Sequence, residues 1–174
     1  MGIGWIQVEN NSITNSFAAQ VQHWPSSYKM ELLAVLSAIS TAPRNCKVDI
    51  YTDSQSVISK YQKLTQTITN PSHFYSYNNW LIWHTLLNLI KSYKLTISFH
   101  KVLAYSNNEL NNTANTLAQN YQILPTLEFQ HTNLYNPNFY IIWENITIEQ
   151  STRKLIKTIC NAHIIAMWSS QNRN

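Results

Sequence analysis

The residues that could do chemistry are few. The chain carries eight acidic residues: Glu9, Glu31, Asp49, Asp53, Glu109, Glu128, Glu144 and Glu149. A site built from carboxylates must draw on these. Asp53 has the most telling context. Lys47, Val48, Asp49, Ile50 and Tyr51 read as a short strand, and Val57, Ile58 and Tyr61 recur at helical spacing just beyond it. Asp53 therefore sits where a strand ends and a helix begins. In an α/β pattern that lip is where ligands and metals gather. Taken alone, the segment favours a helix cap as the role of Asp53, one that Ser54 could also fill. Glu31 lies in the first turns of another expected helix, where a lone Glu ordinarily faces water and serves the helix dipole.

The elements that must position these residues follow from periodicity. Residues 1–8 (MGIGWIQV) read as a strand, residues 9–15 as a polar turn and residues 16–23 as a second strand, so the two form a hairpin. Pro25-Ser26-Ser27 starts a helix over 28–40, with Met30, Leu33, Ala34, Leu36 and Ile39 on one side. After the Asp53 segment comes a polar loop over 65–76. A helix over 78–93 follows, with Trp80, Trp83, Leu87 and Ile90 inward. Residues 95–104 read as a strand and 111–121 as a helix with Ala114, Leu117 and Ala118 inward. The order β-β-α-β-α-α-β-α specifies an α/β domain on a mixed sheet flanked by helices. It closes near residue 121. Residues 122–137 read as a linker, and 138–174 as an extension with a strand or arm (139–148) and a basic amphipathic helix (149–167). The cations of that helix, Arg153, Lys154 and Lys157, suit phosphate contact or simple solvation equally.

Composition narrows the classes. At 174 residues, with 44% apolar and 12% aromatic residues, the chain can bury a core. Charged residues are only 11%, and 21 Asn fill polar positions. A net charge of +4 and pI near 9.1 permit a polyanionic partner without requiring one. Cys46 and Cys160 are isolated, which speaks against a zinc motif and for free buried thiols in a reducing compartment. The apolar stretch 81–90 is too short and too interrupted to span a bilayer. With no signal peptide pattern at the start, the expected location is intracellular, cytoplasmic or nuclear, away from membranes.

Four stretches, in order, then combine: the Gly-x-Gly strand of residues 2–8, KMELLAVLSAI at 29–39, YTDSQSVI at 51–58 and KVLAYSNNELNNTANTLAQ at 101–119. Together they resemble the ribonuclease H family, type 1 branch, as found in cellular enzymes and retroelement polyproteins. The resemblance covers residues 1–121. It implies hydrolysis of RNA paired with DNA, with two Mg²⁺ ions clamping the scissile phosphate. It also implies four metal-holding carboxylates and a loop His. Carried over residue by residue, Glu31 matches the helix Glu and Asp53 the strand-end Asp. The departures are as informative. The first, central strand with its Asp has no counterpart, the final Asp is Asn115, the loop His is Tyr105 and a nearby Gly is Asn107. Two ions carry +4 against −2 from Glu31 and Asp53, and an amide oxygen neutralises none of it. The expectation is an N-terminally truncated, degenerate retroelement-derived domain with weak or incomplete Mg²⁺ binding and impaired hydrolysis. The alternatives are a nucleic-acid-binding or structural remnant, and a working nuclease completed by an upstream segment.

Overall fold

The structure is a computed structural model that describes residues 1–21, 26–66, 77–103, 109–120, 123–127, 142–143, 146–148 and 151–171. It opens on a hairpin of β1 (Gly2–Glu9) and β2 (Ser12–Gln20). The strands are antiparallel, with Ile3 opposite Ala19 and Trp5 opposite Phe17. The second strand starts four residues earlier than the sequence pattern suggested. Asn10 and Asn11 adopt φ of 51° and 62°, so the reversal needs only two residues. Asn tolerates the left-handed region better than other non-glycine residues, and two such residues match the twist of a tight hairpin.

Helix α1 (Ser27–Ser40) begins where Ser26 Oγ accepts the Lys29 backbone N–H at 3.2 Å. Its buried residues are Met30, Leu32, Leu33, Val35, Leu36 and Ile39, more than one face's worth, because the helix is covered from more than one side. Strand β3 (Lys47–Thr52) follows, then α2 (Gln55–Gln66), which buries Val57, Ile58 and Leu64. Helix α3 (Trp80–Tyr93) leads to β4 (Thr96–Lys101), parallel to β3 with Ile50 opposite Phe99. The burial of α3 centres on Trp80–Trp83 and Leu86, whereas Leu87 and Ile90 are half-buried. Trp83 is fully enclosed and donates its indole N–H to the Tyr28 hydroxyl at 3.0 Å.

Both strand orientations of a mixed sheet are present, as an antiparallel pair, β1–β2, and a parallel pair, β3–β4. The pairs are not hydrogen-bonded to each other, and α1 packs on both. Helix α4 (Glu109–Gln119) packs chiefly on β1. The approach is close because residue 4 is Gly. A Cβ there would lie 2.8 Å from the Ala114 carbonyl oxygen and 2.9 Å from the Ala118 nitrogen.

The chain divides into two compact units, residues 1–68 with 82–136, and residues 69–81 with 137–174. In the second, β5 (Ile142–Trp143) and β6 (Ile146–Thr147) pair only with each other, so the single arm expected over 139–148 is, where described, a short two-stranded ladder. Helix α5 (Thr152–Gln171) buries Leu155 and exposes Ile164, Ile165 and Trp168. Cys46 is half-buried and Cys160, on α5, is exposed, contrary to the expectation of two buried thiols. No described helix is long and apolar enough to cross a membrane.

Candidate active site

The candidate site forms where β3 stops. Thr52 closes the strand, and α2 starts at Gln55 with the Ser54 carbonyl accepting the N–H groups of Val57 and Ile58. Between them the chain turns at Asp53. Thr52 is the one buried polar residue of the core described, at 6% exposure. Its hydroxyl has two tasks. It accepts the Ser54 N–H at 3.1 Å, fixing the turn, and it donates to Glu31 Oε2 at 3.4 Å, tying the turn to α1. Ser54 Oγ pairs with Ser56 Oγ, so the helix start is held through the Ser54 backbone.

Glu31 is thereby turned inward from α1, and not out to water as a lone helix-start Glu would be. Burial raises its pKa above the ordinary value, and the charge of Asp53 raises it further. The Thr52 hydrogen bond and the charge of Lys101 act against those two effects. Glu31 and Asp53, 22 positions apart in sequence, thus lie near enough for the charge of one to act on the other.

Lys101 is the residue that sequence reasoning missed. It is the last residue of β4 and lies in register with Thr52, and its ammonium donates to the Asp53 backbone carbonyl. Nothing in the local sequence marks it. Only the parallel pairing of β3 with β4 carries it to the carboxylates.

The other acids near β3 do not join. Asp49 accepts from His100 at 3.0 Å and pairs with Lys47 at 3.7 Å. The His100 hydrogen bond holds its carboxyl below the usual range. Tyr51 stacks on His100 on the same exposed face, with centroids 4.8 Å apart. Asn115 stands exposed on α4, and Tyr105 lies outside the described residues. Among the described residues, no three His, Cys, Asp or Glu converge as a metal site. The donors at hand are two carboxylates, the Thr52 hydroxyl and the Asp53 carbonyl. All are oxygens, and two are already engaged: the Thr52 hydroxyl by Glu31 and Ser54, and the Asp53 carbonyl by Lys101.

Comparison with known proteins adds the following. The family described as RNase H matches residues 1–122. A protein named Ribonuclease H from Prosthecochloris aestuarii is 31% identical over 96 residues, 52% of this chain and 64% of that protein. The chain thus spans just under two thirds of that relative. Proteins of the same name from Thermoanaerobacter sp. and Chlorobium limicola are each 27% identical, over 66% and 67% of this chain and 76% and 82% of their own lengths.

Proposed function

This chain belongs to the ribonuclease H family, and from that premise we propose that its first 121 residues form a type 1 ribonuclease H domain of retroelement origin. Its substrate class is RNA paired with DNA, and Glu31 and Asp53 are its hydrolytic-site carboxylates. What supports the reading is the nearness of these two carboxylates at the end of β3, where Thr52 donates to Glu31 and the charge of Asp53 acts on it. Mg²⁺, when bound, supplies charge that activates water and stabilises the leaving oxygen. Glu31 and Asp53 would hold it. Thr52 orients Glu31, and burial keeps competing water from that carboxylate. Lys101 adds positive charge beside the pair.

Impairment follows from the donor set. Asn115 brings no charge, and no third acid joins the pair among the described residues. The sequence background fits an eroded mobile-element copy. Asp to Asn, His to Tyr and Gly to Asn all arise by transitions, and Asn and Ile, whose codons are A/T-heavy, are the two commonest residues. A nucleic-acid-binding domain without turnover is the second reading, favoured by the same missing charge and by the net +4.

The deciding experiment is cleavage of a labelled RNA–DNA hybrid in Mg²⁺ or Mn²⁺, with hybrid binding measured in parallel across a salt series. The expected result is cleavage at background and binding that weakens with salt. Robust cleavage abolished by Asp53→Asn would refute the impairment. Absence of both cleavage and binding would refute the nucleic-acid assignment.

A further inference from the structure

Helix α5 is covered at one end only. Leu155 is buried and Ile159 half-buried, and these two, four residues apart, mark the side that packs inward. From Cys160 to Ser170 every residue is exposed. That half nevertheless carries most of the helix's large apolar side chains, among them Ile165 at 65% exposure and Trp168 at 67%. A helix segment that is apolar nearly all round is ordinarily enclosed. The cations lie in the other half, as Arg153, Lys154 and Lys157, and the helix holds no acidic residue. They sit at the wrong end of their own helix dipole, whose positive pole is the N-terminus, and the last turn has no basic residue to complement its negative pole.

Away from Leu155, one exposed stripe runs nearly the length of the helix. Arg153, Lys157, Cys160, Ile164 and Trp168 recur at steps of four, three, four and four, which places them on one face. From the N-terminus it reads cation, cation, Cys, Ile, Trp. A parallel copy would set cations against cations. A copy turned end for end about a twofold axis near Cys160 faces its own complement. Arg153 of one copy then lies over Trp168 of the other, and a guanidinium on an exposed indole face contributes about 0.5–1 kcal/mol. Lys157 lies beside Ile164, its methylene stem on the apolar group and its ammonium in water. The two Lys157 ammoniums stand about 10 Å apart or more along the axis, beyond the screening length of about 8 Å in physiological salt. The cations of each copy also meet the negative pole of the other's helix dipole.

We propose that α5 is a self-association element: it pairs antiparallel with α5 of a second copy of this chain, along this stripe, with Cys160 at the twofold axis. The interface is isologous, the same patch on both copies. The small Cys160 side chain lets the helices approach at the crossing, and Ile164 and Trp168 of each copy close over it on either side. Packed helices run about 8–10 Å apart, so facing backbones at the axis come within the Cα separation of about 7 Å that a disulfide can bridge. The alternative occupant of a basic, apolar helix is an anionic bilayer, which needs its cations on the face opposite the apolar one. Here Arg153 and Lys157 stand in line with Ile164 and Trp168, which suits a reversed copy and not a lipid surface. Helix α5 lies outside the residues matched by the ribonuclease H family, so the inference is independent of the nucleic-acid reading.

The test is sedimentation of the full chain from about 1 to about 200 μM, with thiol cross-linking by diamide in parallel. The expected result is a reversible monomer–dimer equilibrium. Ile164→Glu should weaken it by about tenfold or more while leaving the melting temperature of the dilute monomer unchanged, since the position is exposed. Diamide should link the dimer through Cys160, as mapped by peptide mass spectrometry. Moving the thiol, by Cys160→Ser with Met167→Cys, should slow linking at least tenfold, because antiparallel pairing sets the two new thiols about 20 Å apart along the axis. Three outcomes would overturn the proposal: a monomer throughout the range, a dimer that Ile164→Glu leaves intact, or linking at position 167 as fast as at Cys160, which marks a parallel pair. A monomer that co-sediments with phosphatidylserine–phosphatidylcholine vesicles would equally overturn it, by assigning α5 to a lipid surface.

Discussion

Gly4→Ala should destabilise the domain, although its backbone conformation would welcome alanine. Neither glycine of the chain has a positive φ. Replacing Gly by Ala at a compatible strand position ordinarily stabilises by about 0.4–1 kcal/mol, through lost freedom of the unfolded chain. Against this stands the added methyl. It would meet the Ala114 oxygen at 2.8 Å, the Ala118 nitrogen at 2.9 Å and Leu117 Cβ at 3.1 Å. Two of these are helix backbone atoms, which cannot swing aside as a side-chain tip can. Helix α4 must lift off β1 by several tenths of an ångström along its middle. Overpacking of this kind costs about 1–3 kcal/mol, so the net loss is about 1–2 kcal/mol. For a chain of this size, that lowers the melting temperature by about 2–8 °C. Thermal unfolding by circular dichroism measures it directly, and amide exchange in α4 reports whether that helix is the part that gives. An unchanged or raised melting temperature would show that α4 does not rest on Gly4, and the placement of Asn115 would go with it.

Glu31→Gln should stabilise the protein at neutral pH. The raised carboxyl keeps its proton in the folded state at pH values where the unfolded chain has released it. Its stabilising contribution is therefore complete below the ordinary value of 4.5 and is lost as pH rises through the raised one. The advantage of the Gln variant in urea melts should open with rising pH and close in acid; a pH-independent difference would refute the burial argument. Thr52→Val should cost about 1–2 kcal/mol, because it strands the Ser54 N–H and removes the donor to Glu31. It should also move the Glu31 titration further up, which carboxyl NMR would read. Asn115→Asp alone should leave hybrid cleavage at background in Mg²⁺, since it adds one charge to a set short of more than one; full turnover in a cleavage assay would show the pair to be nearly sufficient.

How much of this was legible beforehand depended on the range of each interaction. The helices and strands announced themselves because apolar spacing is a local property, and the Ser26 cap and the stop at Asp53 lie within a few residues of what they control. The Asn10-Asn11 reversal was also local, yet it was read as a longer turn, because Asn marks the left-handed region less strongly than Gly. Glu31 and Asp53 emerged as a pair only through the family resemblance, since periodicity alone treats one as a solvated helix residue and the other as a cap.

The remainder belongs to contacts that no local pattern encodes. Thr52 could not be singled out as the tie between the β3 turn and Glu31, because its value lies in a partner 21 positions away. Lys101 enters the site only through the register of β4 on β3, and Asp49 is drawn off by His100 through the same pairing. The sequence by itself determined which segments become helix or strand and which side of each is apolar. Tertiary structure decided that the β1–β2 and β3–β4 pairs stay separate, that both pack on α1, and that Glu31 comes to the end of β3. Strand pairing, unlike helix formation, satisfies each backbone group from a distant segment. The chain can therefore specify every strand locally and still leave open which edges meet.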